Sequence, residues 1–131
     1  MFKLSVVTPE KVVFEQEVRS IIAPGSEGYL GVLSNHAPLI TALIPGKLSV
    51  EDSAGNESIY SLSGGFLEVS KNIAVVLADA IEKPEEIDKD RAKRAEERAR
   101  QRLSHRTRDI DVERAEAALA RALNRQKIAV S

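Results

Sequence analysis

The sequence predicts an α+β protein: a small antiparallel β-sandwich or flattened barrel followed by an antiparallel α-helical hairpin. Three observations predict it. Apolar residues up to about residue 80 alternate or come in short runs broken by turn residues. Beyond residue 86 they recur with the period of a helix. Composition changes at the same place, since all seven Gly, all five Pro, all three Phe and both Tyr precede residue 86. The stretch EKPEE (82–86) is the predicted boundary, dividing the chain into residues 1–84 and 85–131.

In chain order, Phe2, Leu4 and Val6 share one face of a first strand, with Lys3 and Ser5 on the other. The segments VVF (12–14), VRSIIA (18–23), KLSVE (47–51), SIYSL (58–62), GFLEV (65–69) and IAVVLA (73–78) continue the series. Turns are expected at Pro24-Gly25, Pro45-Gly46, Ala54-Gly55-Asn56 and Lys71-Asn72. The glycine-punctuated GSEGYLG (25–31) reads as one more tight turn. At 43% hydrophobic but only 4% aromatic residues, the core of this half must be aliphatic.

In the second half, Ala92, Ala95, Ala99 and Leu103 line one stripe of a helix, and Arg91, Arg94, Arg98 and Arg102 line the adjacent one. A second helix over about 111–128 repeats the design, with Ala115, Ala118, Leu119, Ala122 and Leu123 beside Arg121 and Arg125. The two helices open on an internal repeat, IDKDRAKRA (87–95) and IDVERAEAA (110–118), offset by 23 residues. Asp88 and Asp111 are the predicted N-caps, and Ile87 and Ile110 are placed to staple onto Ala92 and Ala115. SHRTRD (104–109) is then the turn between them. An alanine seam lets helices approach closely but buries little area per residue, against about 1.5–3 kcal/mol for a buried Leu. The hairpin is therefore expected to be marginally stable and mobile.

Several function classes are closed by what the chain lacks. Without cysteine there is no disulfide framework, thiolate metal site or thiol nucleophile. No stretch approaches the roughly 20 apolar residues of a membrane span, and the N-terminus has no signal-peptide h-region, so a cytosolic or docked protein is expected. GSEGYLG has no following Lys-Ser/Thr to make a phosphate loop. His36 and His105 lie in different halves, with no paired carboxylates or nucleophile triad beside them. No catalytic residue and no metal-ligand set is assigned.

Charge supplies the remaining lead. Residues 1–85 carry −5 and residues 86–131 carry +4. The arginine stripes admit three readings: a solvated face laced with Glu, a nucleic-acid surface, or a site for an anionic small molecule held by bidentate guanidinium groups. Nine acidic residues and the absence of aromatics beyond residue 85 weigh against nucleic acid.

The strings GSEGYLGVLSNHAPLITALIPGKL (25–48) and SGGFLEV (63–69), together with the C-terminal repeat, resemble the epsilon-subunit family of bacterial rotary (F-type) ATP synthases over essentially the whole chain. The resemblance implies a ten-stranded β-sandwich over 1–84 at the foot of the central stalk, against the gamma subunit and the c-ring. It implies that Glu27, Gly28, Tyr29 and Leu30 touch the polar loops of the c-ring and that His36 lies near gamma. It further implies a non-catalytic regulatory subunit, peripheral on the cytoplasmic face of the cell membrane. In nucleotide-binding members the hairpin holds ATP through Ile/Leu-Asp-x-x-Arg-Ala, here Ile87, Asp88, Arg91 and Ala92, with further positions falling on Glu82, Arg98, Arg121 and Arg125. The implied switch folds the tail when ATP is bound. Without ATP, it extends along gamma toward the alpha and beta subunits and inhibits hydrolysis.

Overall fold

The computed structural model describes residues 1–105 and 111–129. The chain divides into two units, Met1–Glu82 and Lys83–Ser131. The first is all β: β1 (Phe2–Val7), β2 (Val12–Gly25), β3 (Gly28–Leu33), β4 (Leu39–Asp52), β5 (Glu57–Ser70), β6 (Ile73–Ala78) and β7 (Ile81–Glu82). Strands pair in the order β1-β6-β5-β4-β2-β3, β7 pairs β5, and β1 also pairs β2. That last pairing closes a ring of five strands, which removes the open edges of a sheet.

Among the described residues the strands number seven rather than the expected ten. The difference lies in β2, β4 and β5, each 14 residues long, which bend where shorter strands would end. Register shifts between Val18 and Ser20 and between Ile22 and Gly25 supply the bends in β2. Pro45-Gly46, expected as a turn, accordingly lies inside β4, where irregular pairing tolerates a residue with no N–H to donate, and Pro24-Gly25 ends β2 directly before the turn at Ser26-Glu27. The GSEGYLG turn is shorter than expected as well: the hairpin closes over Ser26 and Glu27, and Gly28 already begins β3. The Lys71-Asn72 turn forms as read, both residues adopting positive φ (52° and 60°).

The antiparallel expectation fails at one pairing. β1 runs parallel to β6, from Lys3 opposite Ile73 to Val7 opposite Leu77. The reason is parity: five strands in a closed ring cannot all alternate in direction, so one neighbouring pair must be parallel.

The interior is aliphatic, as the composition requires. Leu4, Val6, Val18, Ile21, Leu48, Leu62, Leu67 and Val76 are fully buried, and Phe2 is the one ring in this core. Phe14 and Tyr60 stack at its margin, centroids 5.4 Å apart. Gly65 makes the β5 bend possible: its φ is +142°, and a Cβ there would lie 2.0 Å from the Leu77 carbonyl oxygen. A Gly65→Ala substitution must therefore push β6 off its partner. The expected cost is about 3 kcal/mol or more, read as a fall in melting temperature on the order of 10 °C or more.

In the second unit a 3₁₀ turn (Pro84–Glu86) precedes α1 (Lys89–Ser104) and α2 (Val112–Ile128). The sequence repeat is a structural repeat. Asp88 caps α1 by accepting from the Arg91 backbone N–H at 3.0 Å, and Asp111 caps α2 by accepting from Arg114 N–H at 3.0 Å. Ile87 and Ala92 are both buried, as a staple requires, whereas the matching Ile110 lies outside the described residues. Of the predicted turn, Ser104 ends α1 and His105 caps it, its N–H donating to Gln101 O at 3.1 Å; residues 106–109 lie outside the described residues. Ala92, Ala99, Ala115 and Ala122 form the buried seam. Leu123, expected on the apolar face, is 40% exposed because it sits about 90° from the Ala115/Ala122 line.

Candidate functional site

The seam fixes where the arginines stand. Gln126 Nε2 of α2 donates to Glu96 Oε1 of α1 at 2.8 Å, which sets the register of the antiparallel pair. At 100° per residue, Arg91 and Arg98 lie about 90–110° to one side of the Ala92/Ala99 line. Arg125 and Arg121 lie about 70–110° from the Ala115/Ala122 line, in the same rotational sense. Reversing one helix against the other brings two stripes of the same sense onto one flank of the hairpin. Glu96 and Gln126 are offset about 30–50° the opposite way, on the other flank.

Heights follow from the same register. Arg98 and Arg125 stand at nearly the same level, with Arg91 about 10 Å toward the open end and Arg121 about 6 Å toward the turn. Arg91 and Arg98 are exposed, while Arg121 and Arg125 are half-buried. An open groove of about 620 Å³ runs over the outer face of α1, lined by Arg94, Glu97, Arg98, Arg100, Gln101 and Ser104, all of them on that one helix. The arginine flank presents planar guanidinium donors of the kind that bind oxyanions.

The other residues of the expected nucleotide set occupy different environments. The Asp88 carboxylate is already engaged as the α1 cap. Ile87 and Ala92 are buried and shape the helix start. Glu82 is the last residue of β7, opposite Ser61, and belongs to the β unit. Across the hairpin, Gln126 and then Arg100, whose Nε lies 2.6 Å from Glu96 Oε2, hold the Glu96 carboxyl below the usual carboxylate range.

On the β unit, Glu27 and Gly28 are exposed at the tip of the β2–β3 hairpin. Tyr29 is also exposed, but its hydroxyl accepts from Lys47 N–H at 3.0 Å, and Leu30 packs against the core. His36 lies beyond the other end of β3, a strand about 20 Å long at 3.3 Å per residue. Its Nδ1 is 2.7 Å from the Ala37 carbonyl oxygen, and its N–H donates to Leu33 O. The hairpin tip and His36 thus face separate ends of one strand and do not form a single site.

An apolar surface was missed in the sequence reading. Ala42, Phe66 and Leu77 are directly opposite one another across β4, β5 and β6, and Ile40 and Ile44 flank them on the same face. Ile40 is 75% exposed, Phe66 55%, Ile44 47% and Leu77 46%, a contiguous patch of a kind uncommon on a monomer's free surface. The signal was present: TALI and IAVVLA are apolar at successive positions, so both faces of those strands are apolar rather than one. Among the described residues, no group of three or more His, Asp or Glu is arranged to hold a metal, and no helix is long and apolar enough to cross a membrane.

Comparison with known proteins bears on both regions. Residues 1–84 match the family model of the ATP synthase delta/epsilon chain β-sandwich domain, and residues 85–129 match that of its long α-helix domain. The chain is 50% identical to the ATP synthase epsilon chain of Desulforamulus reducens, over 97% of this chain and 96% of that one. It is 49% identical to the epsilon chain of Moorella thermoacetica, over 96% and 94%. Among solved structures it superposes on a chain of the Euglena gracilis mitochondrial ATP synthase (OSCP/F1/c-ring) with TM-score 0.81 and 28% identity, covering 92% of this chain and 76% of that one. A chain of the Tetrahymena thermophila mitochondrial ATP synthase central stalk and c-ring shares the fold, with TM-score 0.67 at 17% identity, covering 98% and 96%.

Proposed function

Since the chain belongs to the delta/epsilon chain family of ATP synthases and is a non-catalytic subunit of the central stalk, we propose that its helical tail is an ATP-sensing brake on hydrolysis. ATP lies along the arginine flank of the hairpin. Arg91, Arg98, Arg121 and Arg125 neutralise its phosphates, Asp88 orients the purine or the guanidinium groups, and Ile87 and Ala92 hold the helix start in shape. Without the nucleotide, mutual repulsion of the guanidinium groups and the thin alanine seam favour separation of the helices. They then extend along gamma and meet acidic surfaces of the alpha and beta subunits, where they oppose rotation in the hydrolysis direction.

The convergence of both arginine stripes on one flank carries this reading. A merely solvated pair of stripes has no reason to share a flank. In the β unit, the polar tip at Glu27 to Leu30 suits the loops of the c-ring. His36 and the Ile40/Phe66/Leu77 face suit gamma, placing the subunit peripherally at the cytoplasmic face of the membrane in an ion-translocating complex.

Calorimetric titration of the full chain with ATP tests the site. Arg91→Ala with Arg98→Ala removes two charge-assisted contacts, each worth about 1.5–3 kcal/mol, so affinity should fall at least about a hundredfold. Unchanged affinity in that variant assigns the stripes to protein contacts instead.

A further inference from the structure

The two flanks of the hairpin are chemically different, and only one is accounted for by a nucleotide. On the flank away from the arginines, Glu96 makes two polar contacts, one of which crosses to α2. Its Oε1 accepts from Gln126 Nε2 at 2.8 Å, and its Oε2 accepts from Arg100 Nε at 2.6 Å. Gln126 Nε2 lies 3.4 Å from the Ala122 carbonyl oxygen one turn back, which steadies the amide against its own helix. Arg100, one turn beyond Glu96, does the same for the carboxylate. Both partners are partly buried, so the contact is less screened than an exposed pair.

We infer that Glu96 and Gln126 form a latch that sets how much of the hairpin is closed before any nucleotide arrives. The physical ground is the contrast with the seam. Alanine against alanine contributes little apolar burial and little registry, since one alanine is interchangeable with the next along the stripe. A directional bond between one carboxylate and one amide supplies both a registry and a closing force. Its position leaves the arginine flank unobstructed. Latch and ligand therefore act on the same closed state from opposite sides, and their effects multiply in the closed-to-open ratio.

Glu96 and Gln126 are positioning residues in this scheme; neither touches the anion. The inference rests on the proposed mobility of the tail, but its test does not require nucleotide binding. The chain has no cysteine, so Lys89→Cys and Lys127→Cys place spin labels uniquely on exposed positions of the two helices near the open end. Pulsed dipolar spectroscopy on the full chain without nucleotide then reads the closed and open populations. Glu96→Ala and Gln126→Ala should each raise the open-to-closed ratio about threefold or more, and the double variant no further than either alone. Glu96→Gln, which keeps an oxygen to accept from Gln126, should restore most of the closed population.

Helical content by circular dichroism is measured alongside, so that loss of a helix is distinguished from separation of intact helices. Unchanged distance distributions, additive effects in the double variant, or equal opening by Glu96→Ala and Glu96→Gln would each overturn the latch. ATP titration of the same variants separates the two ideas. Opening with an unaltered ATP affinity supports the latch and refutes nucleotide coupling, whereas opening with a matching loss of affinity supports both.

Discussion

A chain ending at Glu86 should let the assembled ATP synthase hydrolyse ATP about tenfold faster at low ATP than the complete chain does, a ratio that corresponds to about 1.4 kcal/mol in favour of the inhibitory tail position. The cut removes both helices and all four arginines of the flank, yet leaves the β unit with its own closed ring of strands and aliphatic core. Docking on the rotor is thereby kept while the brake is lost. At high ATP the difference should shrink, because the nucleotide already holds the intact tail closed. Equal steady-state hydrolysis by the two assemblies at low ATP, with equal subunit content, would refute an inhibitory role for the hairpin.

The second large effect is expected in the β unit. Phe66→Glu combined with Leu77→Glu places two carboxylates at the centre of the exposed apolar row, directly across from each other in the β5–β6 register. Both side chains already face outward, so the fold should survive with little change in melting temperature. Binding should not survive. Burying each native side chain contributes about 1.5–3 kcal/mol, and a carboxylate put in its place must be stripped of water without a partner. Loss of at least about a hundredfold in affinity for the gamma subunit is expected, measured by co-purification or surface-based binding. Retained affinity in the folded variant would move the gamma contact elsewhere on the β unit. Altering Glu27 alone should leave gamma binding intact, since the hairpin tip and the His36 end are separated by the length of β3.

These two regions were legible in the sequence to different degrees. The arginine stripes could be read directly, because an α-helix converts residue spacing into angle without outside help. Nothing in that periodicity says that two helices bring their stripes to one flank. It depends on which residues become buried and on the helices running antiparallel. Glu96 and Gln126 are thirty residues apart, ordinary members of a charged helix until the register pairs them. The apolar row was hidden for a similar reason. β4 contributes three of its residues and β5 and β6 one each, and only cross-strand pairing joins Ala42, Phe66 and Leu77 into a surface.

Element types, the aspartate caps and the aliphatic character of the core were determined by local chemistry, which acts over a few residues and is therefore written in the order of the chain. The number of strands and their directions were decided only by closure of the β unit. The fourteen-residue β4 and β5 continue through Pro45-Gly46 and Gly64-Gly65 because a continuous ladder recovers more backbone hydrogen bonds than a break would. Ring parity then requires the parallel β1–β6 pair. Residue order alone cannot express these outcomes, because each depends on which distant segment comes to lie alongside.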